Sequence, residues 1–436
     1  MISLQKLQQA MSESREFGSV IPIKRNEYLS WLEKSMNNRL IKAVVGFRRS
    51  GKSFLLKILS KSLIDRGTLS SNIFYLNFEN DLLSNIKTVQ HLRNIWEEYL
   101  REIADPDHPI YIIWDEIQLI SGWEKLVRSL YEQGKYNIYV SGSNSNLLSG
   151  ELSSSLSGRS LQLEIKPFSF REYLDYRGIK SDSYYCEKQK IDRAFSVYMQ
   201  RGGIAEQFGL EEPFVSNYQS GLIQKIILDD IVKRYSIDNV NILQEVFEFI
   251  CGNITSTISL RKIVNRFDEQ GLKVSTTTID NYIGYWQTSY AVEKLNKFDY
   301  RLSRVFDRTS KYYCIDNLLI KGREESNEKR LENLVYIELT RRYGRKNVFF
   351  GQDQNGYEID FVVKNDNKFM FFQVCMVLND KNVKREFGNL ELINKYLKGQ
   401  GTVLFLDDAR SNPDSGSCTS VIEWLINYSS VPLITR

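Results

Sequence analysis

From residue 39 to about residue 168, short apolar runs alternate with amphipathic stretches. Leu40-Ile41-Lys42-Ala43-Val44-Val45, Asn72-Ile73-Phe74-Tyr75-Leu76-Asn77-Phe78-Glu79, Ile110-Tyr111-Ile112-Ile113-Trp114, Asn137-Ile138-Tyr139-Val140 and Leu161-Gln162-Leu163-Glu164-Ile165 are rich in β-branched and aromatic side chains, which predicts five strands. Between them, Phe54 to Leu59 and Leu92 to Ile103 carry helical spacing. Strands alternating with helices predict an α/β fold: a parallel sheet covered on both faces, with ligands gathered at the strands' carboxyl ends.

The pattern changes on either side of this region. Residues 1–38 show helical spacing at Tyr28, Leu29, Trp31 and Leu32 and are read as a leading helical segment with a structural role. After the sheet domain (39–168), residues 169–228 read as a helical lid. From 229 to 312, helical stretches at Ile242 to Cys251, Ser259 to Val264 and Ser275 to Tyr282 precede an alternating stretch at Ala291 to Leu295. Three short helices and a hairpin describe a winged helix-turn-helix, whose third helix can enter a DNA groove. That helix has no Arg or Lys between Val274 and Trp286, so packing or subunit contact competes with DNA reading.

Residues 313–436 form a further unit. A helix runs from Glu328 through Leu331, Leu334, Ile337 and Leu339 into the basic cluster Arg341-Arg342-Tyr343-Gly344-Arg345. Strands at Asn347 to Phe350, Tyr357 to Val363 and Lys368 to Val377, a helix at Asn382 to Tyr396 and a strand at Thr402 to Leu406 follow.

Candidate chemistry concentrates after the first strand. Gly46-Phe47-Arg48-Arg49-Ser50-Gly51-Lys52-Ser53 reads G-x-x-x-x-G-K-S, between an apolar strand and a helix opening at Phe54. Such a loop turns tightly on its glycines and aims backbone N–H groups at phosphate oxygens. Gly46, Arg48, Arg49, Ser50, Gly51, Lys52, Ser53 and Phe54 are therefore expected to hold a nucleotide, with Lys52 on the β- and γ-phosphates and Ser53 on Mg²⁺. The third strand ends in Asp115-Glu116, which assigns Asp115 to Mg²⁺ and Glu116 to the attacking water. Asn144, beyond the fourth strand, is placed to hold that water or the γ-phosphate, and Arg159 to supply charge to the nucleotide of its own or a neighbouring subunit. Arg201-Gly202-Gly203 is a candidate nucleotide sensor, or a Gly-Gly helix break.

Asn296-Lys297-Phe298-Asp299 matches the guanine-reading N-K-x-D pattern, but it lies far beyond the P-loop sheet and reads as a loop, so ATP is the expected nucleotide.

Composition narrows the remaining choices. The 436 residues, 42% apolar and 26% charged, are those of a soluble chain of several domains. A net charge of +4 does not by itself call for nucleic acid, so any DNA or RNA site must be local. No stretch reaches the apolar length of a membrane span and the first residues do not form a signal peptide, so a cytosolic protein without a membrane partner is expected. Five cysteines without C-x-x-C spacing and only two histidines leave little material for zinc or histidine chemistry.

In the last unit, helix, three strands, helix and strand resemble the skeleton of the PD-(D/E)xK nucleases. There an Asp and a Glu bind Mg²⁺ and a Lys stabilises the phosphate transition state. Glu332, Asp360 and Gln373 are the candidate metal ligands. The expected E-x-K reads Gln373-Val374-Cys375, and cysteine cannot replace the charge of lysine. Either Lys381 or Lys384 reaches in from the next helix, or the centre is a degenerate scaffold or nucleic-acid clamp.

Taken in order, the P-loop, Asn77-Phe78-Glu79, Trp114-Asp115-Glu116-Ile117-Gln118, Ser141-Gly142-Ser143-Asn144, Ser157-Gly158-Arg159, Pro167 to Tyr173, Arg201-Gly202-Gly203, Asp230 to Tyr235, Glu332 to Tyr336 and Glu358-Ile359-Asp360-Phe361 form a series. This series resembles the prokaryotic AAA-type P-loop ATPases that carry a C-terminal domain of unknown function, over nearly the whole chain. The resemblance implies an ATPase core, a winged-helix middle and a nuclease-like end. The expected activity is Mg²⁺-dependent ATP hydrolysis, with DNA or RNA and further copies of the chain as candidate partners. An ATP-gated nuclease and a slow switch acting on protein partners are the alternatives.

Overall fold

The computed structural model describes residues 2–18, 22–143, 158–180, 184–299, 304–321, 326–353, 356–366, 368–411 and 417–427. Asn144 lies outside the described residues. The chain divides into two compact units, Met1–Ile165 and Lys166–Ile434.

The first unit is built on five parallel strands, β1 (Ile41–Val45), β2 (Ile73–Asn77), β3 (Ile110–Asp115), β4 (Tyr136–Gly142) and β5 (Ser160–Glu164), in the order β2-β3-β4-β1-β5. All five residues of β1 are buried, because a strand covered on both faces has no side that can stay polar. β4 lies between β1 and β3, pairing Val44 with Ser141 and Trp114 with Val140. That insertion brings Ser141 between the loop after β1 and the acids at the end of β3. Helices Lys52–Asp65, Val89–Glu102 and Trp123–Gln133 connect the strands. Two helices precede the sheet, Leu4–Arg15 and Asn26–Ser35, where the pattern had suggested one. The first buries Leu7, Ala10 and Met11, and its Arg15 donates to the Ile73 carbonyl at 2.7 Å.

The second unit opens with Phe170–Tyr176, whose start is fixed by a capping box between Ser169 and Glu172. Tyr184–Arg201 and Glu212–Lys225 follow, and the latter runs into a π-helical turn at Ile226–Val232. The boundary expected at 228/229 falls inside this turn. Then come Val240–Gly252, β6 (Thr257–Ile258), Leu260–Glu269, Thr276–Thr288 and the antiparallel pair β7 (Val292–Asp299) and β8 (Arg304–Cys314). β9 (Val348–Gln352), β10 (Glu358–Asn365), β11 (Lys368–Asn379), β12 (Gly399–Ala409) and β13 (Cys418–Ser420) complete a sheet ordered β13-β12-β11-β10-β9-β7-β8-β6. Because β7 pairs with β9, one sheet runs across the expected 312/313 boundary, which lies within β8.

Asn296-Lys297-Phe298-Asp299 is the end of β7, with a register shift between Asn296 and Lys297, rather than a loop. Its alternation was hidden by that bulge, which offsets the two halves of the strand. Gly202, with left-handed backbone (φ +74°), follows the helix Tyr184–Arg201, and both positions require glycine: a Cβ on Gly202 would stand 1.8 Å from Asp316 Oδ1, and one on Gly203 2.1 Å from the Phe168 carbonyl oxygen. No helix among the described residues is long and apolar enough to cross a membrane.

Candidate active site

The loop after β1 adopts left-handed backbone at Gly46 (φ +142°), Arg49 (φ +67°) and Gly51 (φ +93°). A side chain on Gly46 would collide with the Ile165 carbonyl oxygen at 2.3 Å. The loop delivers Lys52 to the first position of its helix, and that helix has no side-chain cap at Gly51. Its first N–H groups therefore face outward at the positive end of the helix dipole. Lys52 is buried and donates to the carbonyls of Gly46 and Phe47 at 3.1 Å each, while standing 3.9 Å from Glu116 Oε1. Ser50 Oγ is buried without a hydrogen-bond partner.

Asp115 is fully buried at the end of β3. Burial and then the adjacent Glu116 charge push its carboxyl up to about 6, against hydrogen bonds from Ser141 and Ser53 and the charge of Lys52. Tyr75 Oη lies 3.2 Å from the Ser53 carbonyl oxygen and 3.5 Å from Asp115 Oδ2. Glu116 takes a left-handed backbone (φ +55°), its N–H donates to Ser141 Oγ at 3.1 Å, and its carboxylate accepts from the Gln118 amide. The Ser141 hydroxyl in turn donates to Asp115. The lysine, the hydroxyl of Ser53 and two carboxylates thus meet at the carboxyl ends of β1 and β3, where a phosphate and its counter-ion would sit.

Three further residues of the expected nucleotide set lie in or next to this loop. Arg48 pairs with Glu79 at 3.6 Å, Arg49 adopts the left-handed backbone of the turn, and Phe54 is the third residue of the helix Lys52–Asp65. Arg25, which the periodicity of the leading segment had not distinguished, donates to the Ser50 carbonyl at 2.8 Å.

A model of the AAA domain matches residues 38–174, and a model of a domain of unknown function matches residues 192–321. An uncharacterized protein of Haemophilus influenzae is 31% identical over 408 residues, spanning 93% of this chain and 98% of its own. The chain belongs to the AAA-type P-loop ATPases. An uncharacterized protein of Methanocaldococcus jannaschii is 32% identical over 370 residues, covering 82% of this chain and 79% of its own. Among solved structures, the Walker-type ATPase of Pyrococcus abyssi aligns with a TM-score of 0.45 at 13% identity, over 69% of this chain and 95% of that one.

In this AAA-type ATPase Arg159 stands apart from the P-loop of its own chain. Its carbonyl accepts from the Ile41 N–H at 2.9 Å, at the amino end of β1, and its guanidinium pairs with Glu132 at 3.4 Å. The P-loop leaves the opposite end of β1, roughly 16 Å away at about 3.3 Å per residue. The half of the expectation that had Arg159 serve its own nucleotide is corrected by this placement. Arg201 is engaged within its own unit, donating to the Leu210 carbonyl at 2.8 Å and pairing with Glu212.

The C-terminal candidates of the ATPase form a separate cluster. Glu332 accepts from Tyr313 Oη at 2.7 Å, Asp360 Oδ2 accepts from the Val374 N–H at 2.8 Å, and Gln373 Oε1 accepts from the Asp360 N–H at 3.0 Å. Gln373 Nε2 donates to the buried Glu386 at 3.0 Å. The lysine that enters is neither Lys381 nor Lys384, which are exposed, but Lys311 of β8. Only 1% exposed, its Nζ lies 2.8 Å from Glu358 Oε1 and 3.4 Å from Glu332 Oε1. Burial opposes its charge, yet Glu332, Asp360 and Glu358 together hold its pKa above the ordinary lysine value. Burial, then the Glu332 charge, pushes Asp360 up to about 8. Among the described residues no three His, Cys, Asp or Glu side chains are arranged to hold a metal ion. The period-two spacing of Lys311 and Tyr313 in a strand of aromatic residues was the sequence signal for this cluster.

The basic cluster Arg341-Arg342-Tyr343-Gly344-Arg345 spans the last turn and the end of the helix Asn327–Tyr343, and its arginines are engaged within the same unit. Arg341 donates to the Pro167 carbonyl at 2.8 Å, Arg342 pairs with Glu338 at 2.9 Å and stacks 3.9 Å from the Trp424 ring centroid, and Arg345 lies 3.6 Å from the buried Glu293.

Proposed function

We propose that the protein is a Mg²⁺-dependent ATP hydrolase whose nucleotide state acts on the unit from Lys166 onward, in contact with nucleic acid. The observation that carries this reading is the meeting of Lys52, Ser53, Asp115 and Glu116 at one edge of the sheet. The residues present fit a magnesium nucleotide. Ser50 Oγ is a buried hydroxyl without a partner, the N-terminus of Lys52–Asp65 has no side-chain cap, and Asp115 and Glu116 crowd two carboxyls together. When bound, the cation neutralises phosphate oxygens. Gly46 and Arg48 to Phe54 would surround the phosphates, Lys52 would exchange its loop carbonyls for phosphate oxygens, and Ser53 with Asp115 would hold the metal. Glu116 takes the proton of the attacking water, and Asn144 orients that water. Arg159 reaches the nucleotide of a neighbouring copy, which makes the working form a homo-oligomer.

For residues 229–312 the order helix, strand, two helices and a two-stranded hairpin supports a winged-helix reading. Its third helix lacks cationic side chains, but Arg261, Lys262 and Arg266 are exposed on the helix before it and suit phosphate contact. The nuclease-like centre is read as degenerate. Lys311 lies among the carboxylates where a cation would act, Gln373 spends its side-chain oxygen on the Asp360 N–H, and position 375 is a cysteine.

ATP turnover measured with and without DNA or RNA, alongside a nicking assay on the same preparation, tests the reading. Turnover that rises with nucleic acid and no nicking with Mg²⁺ or Mn²⁺ is the expected result. Absence of ATP binding would refute the ATPase assignment, and nicking abolished by Asp360→Ala would refute the degenerate centre.

A further inference from the structure

The nucleotide residues assigned above lie between Gly46 and Arg159, yet the loop is also gripped by a side chain from before the sheet. A loop that presents N–H groups to a phosphate must turn its carbonyls away, and buried carbonyls need donors of their own. Gly46 and Phe47 are served by Lys52, at 3.1 Å each. The carbonyl of Ser50 is served by Arg25 Nη1, at 2.8 Å.

We propose that Arg25 is a positioning residue of the nucleotide site, holding the Ser50 carbonyl outward so that the N–H groups from Ser50 to Lys52 face the phosphates. Arg25 is 3% exposed and its guanidinium lies 4.5 Å from the ring centroid of Tyr28, itself buried. Its backbone is pinned as the residue before the helix Asn26–Ser35, its carbonyl accepting from the Leu29 N–H at 3.0 Å. A Cβ on Gly51 would stand 3.8 Å from Nη1, so the guanidinium lines the turn itself. Lys52 has to release its carbonyls to meet a phosphate, whereas Arg25 bonds a carbonyl on the outer side of the loop. Arg25 is therefore the clamp that persists in both nucleotide states. It lies outside the matched AAA region, which begins at residue 38.

The inference rests on the ATPase reading and deepens it. The test is the affinity of full-length wild type, Arg25→Met, Arg25→Lys and Arg25→Gln for fluorescent ADP and ATP, with nucleotide-free melting as a control. Arg25→Met is expected to weaken both nucleotides about tenfold or more, as loss of a charge-assisted hydrogen bond predicts. Arg25→Lys keeps a cationic donor and is expected to recover affinity to within about threefold of wild type. Should Arg25→Met fail to fold, Arg25→Gln, too short to span to Ser50, is expected to show the same loss. A folded Arg25→Met or Arg25→Gln with wild-type affinity overturns the proposal, as does Arg25→Lys binding no better than Arg25→Met. Wild type that binds neither nucleotide refutes the ATPase reading itself, a distinct outcome.

Discussion

The backbone N–H of Glu116 donates to the hydroxyl of Ser141 at 3.1 Å, and the same hydroxyl donates to Asp115. One side chain on β4 therefore holds the left-handed backbone of the candidate base and the orientation of the candidate metal ligand.

Glu116→Gln keeps the shape of the side chain and removes its basicity. It is expected to bind ATP like wild type and to hydrolyse it roughly 10² to 10⁴ times more slowly in a steady-state phosphate-release assay. Hydrolysis at the wild-type rate would show that Glu116 is not the base.

Ser141→Ala takes away the acceptor for the Glu116 N–H and the donor to Asp115 together. Turnover is expected to fall about tenfold or more, with ATP affinity changed less than turnover, measured as separate kcat and Kd values.

Lys52→Ala removes the cation that the P-loop presents. ATP affinity is expected to fall about 10- to 100-fold by isothermal calorimetry, and melting without nucleotide is expected to fall as well, because the buried ammonium bonds the Gly46 and Phe47 carbonyls and faces the Glu116 carboxylate at 3.9 Å.

Lys311→Met strips the counter-ion from Glu332, Glu358 and Asp360. Breaking one partner of a buried charge cluster costs about 3–5 kcal/mol, so denaturant unfolding at pH 8 is expected to shift by that order. At pH 5 the loss is expected to be smaller, since Asp360, pushed up to about 8, then carries a proton and needs no counter-ion.

Asp316 gives a pH dependence with a definite sign. Burial pushes its carboxyl from the ordinary 3.8 up to about 7, against hydrogen bonds from the Gly203 and Leu318 N–H groups. The folded state thus favours the protonated acid; that stabilisation is complete below about pH 4 and is lost as pH rises through about 7. Melting temperature is expected to fall between pH 5 and pH 8, and Asp316→Asn is expected to flatten the slope. Gly202→Ala, which drives a Cβ against Asp316, is expected to cost about 3 kcal/mol or more.

Most of the first sheet was readable in the sequence because its strands are buried on both faces and appear as unbroken apolar runs. The P-loop and Asp115-Glu116 were readable for a related reason: their chemistry fixes residue types at short spacings along the chain. Ser141 was harder to see. A serine in a buried strand has no periodic signature, and its importance comes from β4 lying between β1 and β3. Arg25 and Lys311 were missed because each acts on groups far away in the chain: Arg25 in an amphipathic segment looks like any solvated charge, and the spacing of Lys311 and Tyr313 puts them on one strand face without saying which carboxylates that face meets. The boundary at 312/313 failed to anticipate a sheet that continues through it, since β7 finds its partner β9 about 50 residues later.

The sequence by itself determined the α/β class, the nucleotide loop and the two acids, because local hydrogen bonding and short-range spacing dictate them. Tertiary structure decided which charges are available. It turned the Arg341-Arg342 cluster inward, separated Arg159 from its own P-loop, set Lys311 among three carboxylates and brought Arg25 to Ser50. The physical reason is that a charge's role depends on what burial places beside it, and burial joins residues that no spacing along the chain connects.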